Sequence, residues 1–282
     1  MKPNFEEKTY ESFFNSALDR NSSIYFPIGQ AQEGSLGFDS SSFSTNRSLW
    51  NRLGYPYFFP WNLSFSGVEL EEIAKYMTLG INSMPKMKAN LLFQYKRSEF
   101  LKNHTAKEWS HWNQPYFRYD IYDEQQKLLE QIHTQFGSKV HILYAAPVII
   151  DKDKLVEVRK DIINYSNFTR AIDLKGHHKN TFIEAGRYSI ACSEPNEIEK
   201  VDILKLLEEI ESNSDNADLS NEKFIIDFSK KMKNIILESE YKKAFNNLEE
   251  DLFRIKEYEI LYSFSIMNIF KLLTGAQWLV KV

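Results

Sequence analysis

Ala89-Asn90-Leu91-Leu92-Phe93-Gln94-Tyr95-Lys96 reads as a β-strand, with an apolar run through Leu91, Leu92 and Phe93 giving way to a polar end. Downstream, Leu128, Leu129, Ile132 and Phe136 recur at helical spacing, and Gly137 is placed to end that helix. Asp123 and Gln126 have the spacing of a capping pair at its start. Residues 140–146 form an apolar run closed by Pro147, the pattern of a buried strand. Strand, helix and strand in this order across 89–146 imply a helix packed on a sheet.

Working outward, a helix is predicted over 6–18 and a short strand over 24–28. A strand or hairpin follows Gly34 at 36–43, and a helix over 68–79 carries acids in its first turn. The polar, turn-rich stretch 211–221 is the nearest thing to a linker. Beyond it, Phe224, Ile225, Phe228, Met232, Ile235 and Ile236 keep helical spacing, and a second amphipathic stretch covers 241–270. The expected fold class is α/β (α+β): a mixed sheet flanked by helices, with a helical C-terminal region. The expected domains are an α/β domain at 1–200 with an insertion near 44–86, and a helical, acid-rich region at 201–282.

Composition narrows the function classes. Of the 282 residues, 43% are apolar and 26% charged, which excludes wholesale disorder. Cys192 is the one cysteine, so the chain forms no internal disulfide and no zinc ribbon or finger. A reducing, cytoplasmic compartment fits that usage. No uncharged apolar run reaches the roughly 18 residues of a membrane span. The apolar segment 260–270 is short and suits a buried helix or an oligomer contact. Residues 1–21 lack the apolar core of a signal segment.

A net charge of −4 means that the whole molecule is no electrostatic trap for nucleic acid. Locally, however, residues 86–107 carry Lys86, Lys88, Lys96, Arg97, Lys102 and Lys107 against Glu99 alone. Lys86, Lys88, Arg97 and Lys102 are the candidate phosphate contacts; a solvated, lysine-rich loop is the plainer alternative. Aromatic residues reach 15% and cluster at 55–65 and 109–122, as packing or as a stacking surface for flat ligands.

Three pieces carry candidate chemistry: the segment from Gln30 to Asp39 containing Glu33-Gly34, the tetrapeptide Phe93-Gln94-Tyr95-Lys96, and the helix and strand of 123–146. Together they resemble the PD-(D/E)XK nuclease superfamily in its variant with glutamine before X-Lys. That resemblance implies a restriction-endonuclease-like core and a metal-dependent nuclease. It assigns Asp39, Gln94, the Tyr95 backbone carbonyl and Glu33 to Mg²⁺ or Mn²⁺, and Asp39, Gln94, Lys96 and Glu33 to catalysis. The chemistry suits the residues: carboxylate and carbonyl oxygens are hard donors for these cations. Residues two apart on a strand project together, so Gln94 and Lys96 would share a face. Glu69, Glu71 and Glu72 are alternative sources of the second acid.

The resemblance further implies nucleic acid, DNA first, as partner, and a role in bacterial antiviral defence. The helical C-terminal region would serve a homo-oligomer or a partner protein, and no membrane is involved. The alternative is a non-catalytic nuclease-like subunit that binds nucleic acid or a partner protein; a third is an unrelated α/β protein binding a small ligand through its aromatic loops. Weaker sites are His177-His178, where no ligand spacing is evident, and Cys192, which would need a positioned histidine. No P-loop, dinucleotide-binding glycine motif or nucleophile elbow is present.

Overall fold

The structure, a computed structural model, describes residues 1–27, 70–185, 188–192, 194–212 and 219–282. In chain order these residues form α1 (Glu7–Asn21), β1 (Ile24–Tyr25), α2 (Leu70–Asn82), β2 (Ala89–Tyr95), β3 (Glu99–Leu101), α3 (Trp109–Trp112) and β4 (Tyr116–Asp120). Next come α4 (Asp123–Phe136), β5 (Val140–Pro147), α5 (Lys152–Glu157), β6 (Ser166–Arg170), β7 (Lys179–Phe182), β8 (Tyr188–Ala191) and β9 (Asn196–Glu199). The chain continues through α6 (Ile203–Ser212), α7 (Asn221–Leu237), α8 (Lys242–Glu250), α9 (Glu259–Thr274) and β10 (Gln277–Lys281). The protein is thus mixed α/β, and its described residues form two sheets with flanking helices. Among the described residues no helix is long and apolar enough to cross a membrane.

The chain divides into two compact units that interleave in sequence. One comprises Met1–Ile24 and Asn90–Ser212, the other Tyr25–Ala89 and Asn213–Val282. In the first unit β5 runs parallel to β2 and antiparallel to β6, with Gln94 opposite Tyr144 and Tyr95 opposite Ala145. Every residue of β2 is buried, which explains its near-continuous apolar run. A second, antiparallel sheet runs in the order β3-β4-β7-β8-β9.

α4 begins and ends where periodicity and Gly137 place it; Gly137 caps it at φ 57°, in the region that glycine favours. The capping pair does not form. Tyr122 occupies the N-cap without a side-chain bond, and Gln126 turns inward instead. The sequence pattern alone does not distinguish a capping glutamine from a buried one.

The second unit holds α2, α7, α8, α9 and β10. The stretch 241–270 is two helices rather than one, because a turn and a short 3₁₀ segment at Phe253–Ile255 separate α8 from α9. α9 buries Ile260, Leu261, Phe264, Ile266, Met267, Ile269 and Phe270, so the apolar run is a core helix. Strand β10 closes the chain with Trp278, Leu279 and Val280 fully buried.

Candidate functional site

The site rests on the two faces of β2. Phe93 and Tyr95 turn toward α1: Phe14 lies 5.3 Å from Phe93 and 5.6 Å from Tyr95 between ring centroids, and Tyr10 meets Tyr95 edge-on at 5.9 Å. The two-residue period then sends Gln94 and Lys96 to the other face. There α4 delivers Gln125. Its Nε2 donates to Gln94 Oε1 at 2.7 Å, and Lys96 Nζ donates to its Oε1 at 3.3 Å. Gln94 Nε2 donates in turn to the Tyr95 carbonyl at 3.2 Å.

Lys96 is only 6% exposed, an unusual position for an ammonium group. Its Nζ sits 4.7 Å from the Tyr122 ring centroid and 5.4 Å from that of Tyr144, and both ring faces attract a cation. Burial pushes its pKa down from the ordinary lysine value to about 8, while the charges of Glu7 on α1 and Asp120 on β4 pull the other way. Glu7 is half-buried; burial raises its pKa, and the facing Lys96 charge lowers it. A lysine held this way exchanges its proton closer to neutrality than a surface lysine.

A polar layer supports the pair from below. Tyr144 donates from its hydroxyl to Gln126 Oε1 at 2.9 Å, and Gln126 Nε2 donates to the Ala171 carbonyl at 2.7 Å. At the rim, Tyr122 is 66% exposed. Asp123 Oδ1 and His178 Nδ1 lie 2.8 Å apart, and Asp120 lies 3.9 Å from Lys179. The Ile121 amide donates to the His178 carbonyl at 2.8 Å, which fixes that histidine beside the start of α4.

Gln94 and Lys96 therefore project to one side, as the strand period predicts, and are bridged by Gln125. Glu33, Asp39 and Glu69 lie outside the described residues. Glu71 and Glu72 are on α2, in the other unit. Of the expected phosphate contacts, Lys86 donates to the Leu219 carbonyl at 2.7 Å, and Arg97 binds the Phe5 carbonyl and Glu6 Oε2, each at 3.2 Å. Lys102 lies 5.4 Å from the Phe100 ring centroid, and Lys88 precedes β2 in the second unit. Cys192 Sγ donates to the Ile190 carbonyl, and burial pushes its thiol pKa up, the opposite of an activated nucleophile.

Glu7, Asp120 and Gln125 escaped the sequence reading. The signal for two of them was there: Gln125 stands one turn before Leu128 and Leu129 on the buried stripe of α4, and Glu7 stands one turn before Tyr10 on that of α1. A polar residue interrupting an apolar stripe marks a buried polar site.

For a divalent cation the donors fit in kind. Gln94 Oε1 and the Tyr95 carbonyl are hard oxygens. They carry no charge, however, and among the described residues no three His, Cys, Asp or Glu side chains gather to hold a metal ion. The two carboxylates that the resemblance implies, Asp39 and Glu33, lie outside the described residues. A scan against protein-family models, a search of curated proteins and a search of solved structures each returned no match.

Proposed function

We propose that the chain is a metal-dependent nuclease of restriction-endonuclease-like type, hydrolysing phosphodiester bonds of nucleic acid, DNA first. One observation carries this reading: Gln94 and Lys96 share a face of β2 and are joined by Gln125, with Lys96 buried near the charge of Glu7. Asp39, Gln94, the Tyr95 carbonyl and Glu33 are the groups that would hold Mg²⁺ or Mn²⁺. Such a cation, when bound, neutralises charge developing on the phosphate and acidifies an attacking water. Lys96 orients that water through Nζ and counters negative charge on the phosphate. Gln125 holds both strand residues in register, and Tyr122 and Tyr144 shield the ammonium from bulk solvent. Within this reading the protein works in the cytoplasm as a defence effector, and region 201–282 provides its oligomer or partner contact.

A second reading, a non-catalytic nuclease-like subunit, is favoured by one feature: Gln94 Oε1 is already engaged by Gln125. One experiment separates the two. Purified protein is incubated with supercoiled plasmid and with circular single-stranded DNA in Mg²⁺ or Mn²⁺, beside Asp39→Ala and Lys96→Ala. The nuclease reading expects cleavage that EDTA abolishes and that falls about 100-fold or more in each variant. Nucleic-acid binding without cleavage supports the second reading. Cleavage that survives both substitutions rejects this site.

A further inference from the structure

Of the six aromatic residues clustered at 109–122, four are buried. Trp112 stacks on Tyr188 at 5.4 Å and donates from Nε1 to Thr181, while Tyr116, Phe117 and Tyr119 are buried. Tyr122 differs. It is 66% exposed, yet it lies at the site, 4.7 Å from Lys96 Nζ. Local charge around it is not that of a duplex cradle. Asp120, Asp123 and Glu124 crowd the same few residues, with Lys179 and His178 opposite the first two. Duplex binding draws its affinity from cations set against phosphates. In this unit Arg97, one of the cations nearest in sequence to Lys96, is instead spent on Phe5 and Glu6.

We infer that the site takes a single-stranded segment of nucleic acid, with an unpaired base stacked on the Tyr122 ring and its neighbouring phosphate toward Lys96. This rests on the nuclease reading and names its substrate class. Stacking needs a base that has left the helix, and it tolerates any sequence because every base has a π-face.

Binding is measured by fluorescence anisotropy in EDTA, so that no cleavage intervenes. The probes are a labelled single-stranded DNA, the same sequence as RNA, and the blunt DNA duplex, each with wild type, Tyr122→Ala, Tyr122→Phe and Tyr165→Ala. Wild type is expected to prefer the single strands. Tyr122→Ala should weaken single-strand binding roughly 5- to 100-fold and leave duplex binding alone. Tyr122→Phe, which keeps the ring, should retain the preference, and Tyr165→Ala, which removes another exposed aromatic, should not change it. The DNA and RNA arms decide which strand is taken. Equal duplex and single-strand binding, or a Tyr122→Ala protein that keeps its preference, overturns the inference while the nuclease reading stands. Failure to bind any of the three probes also overturns the inference, while the nuclease reading is judged by the cleavage assay in Mg²⁺ or Mn²⁺.

Discussion

Gln125 donates to Gln94 across 2.7 Å, and that bond fixes the orientation of the Gln125 amide, leaving its oxygen to accept from Lys96. One side chain on α4 thereby ties down Gln94 on β2 and Lys96 just past its end, and it is itself buried at 7% exposure. Gln125→Leu would strand the Gln94 oxygen and the Lys96 ammonium without a partner. A buried group left unsatisfied costs about 1–3 kcal/mol, more when charged. The expected result is a loss of about 3 kcal/mol in urea denaturation. A variant as stable as wild type would show that water replaces the amide.

Lys96 gives the chain a distinctive pH dependence. Its pKa in the folded state is about 8, mainly through burial, against an ordinary value of 10.5. Between those values the unfolded chain binds more protons than the folded one, so stability from this group rises with pH. The penalty is complete below about pH 8 and relieved by about pH 10.5. Wild type should therefore gain about 3 kcal/mol relative to Lys96→Met over that window. Chemical denaturation of both proteins at pH 7 and pH 10.5 reads the difference directly and cancels the tyrosines. A constant gap would mean that Lys96 titrates as a surface lysine.

β2 and α4 were legible because burial writes itself into apolar spacing: Leu91, Leu92 and Phe93 are fully buried, as are Leu129 and Ile132. The shared face of Gln94 and Lys96 followed from the period of a strand. What periodicity does not carry is pairing across distance. Nothing local to Glu7 or Asp120 says that its charge acts on Lys96, and His178 finds Asp123 only because β4 and β7 lie side by side. The same limit hid the interleaving of the two units. The chain leaves one at Tyr25 and returns at Asn90 with no linker composition to mark either point.

The antiparallel sheet has its own polar anchor. Glu108 accepts from the Tyr116 hydroxyl and from Arg118 Nη1, both at 2.9 Å, and Arg118 Nη2 also reaches Glu99 at 2.7 Å. Hydrogen bonds from Tyr116 and Arg118 outweigh burial and hold the Glu108 carboxyl below its usual pKa. Its stabilising contribution is therefore present above the unfolded value near 4.5 and lost as the pH falls through the folded one. Glu108→Ala leaves Arg118 with Glu99 alone and Tyr116 unpaired, and should cost about 3 kcal/mol at pH 7. That cost should shrink toward pH 3, which denaturation at the two pH values checks.

In the second unit a single amide closes the turn after α2. Asn221 is 4% exposed, and its Nδ2 donates to the carbonyls of Ile81, Met84 and Pro85 at 2.9, 3.3 and 3.0 Å, while its Oδ1 accepts from the Met87 amide at 3.0 Å. Two donor hydrogens thus serve three carbonyls, the closest being that of Ile81. These backbone groups lie at the end of a helix, where carbonyls lack full intrahelical partners, and at the start of the next segment. Asn221→Ala removes all four bonds, and Asn221→Asp keeps the acceptor but turns the donor into an acceptor facing carbonyls. Both should destabilise, by about 3 kcal/mol or more, with the aspartate variant at least as costly as the alanine one despite its nearly identical shape. Urea titrations of the two variants test this. If Asn221→Asp proves markedly milder than Asn221→Ala, the amide hydrogens are not what holds the turn.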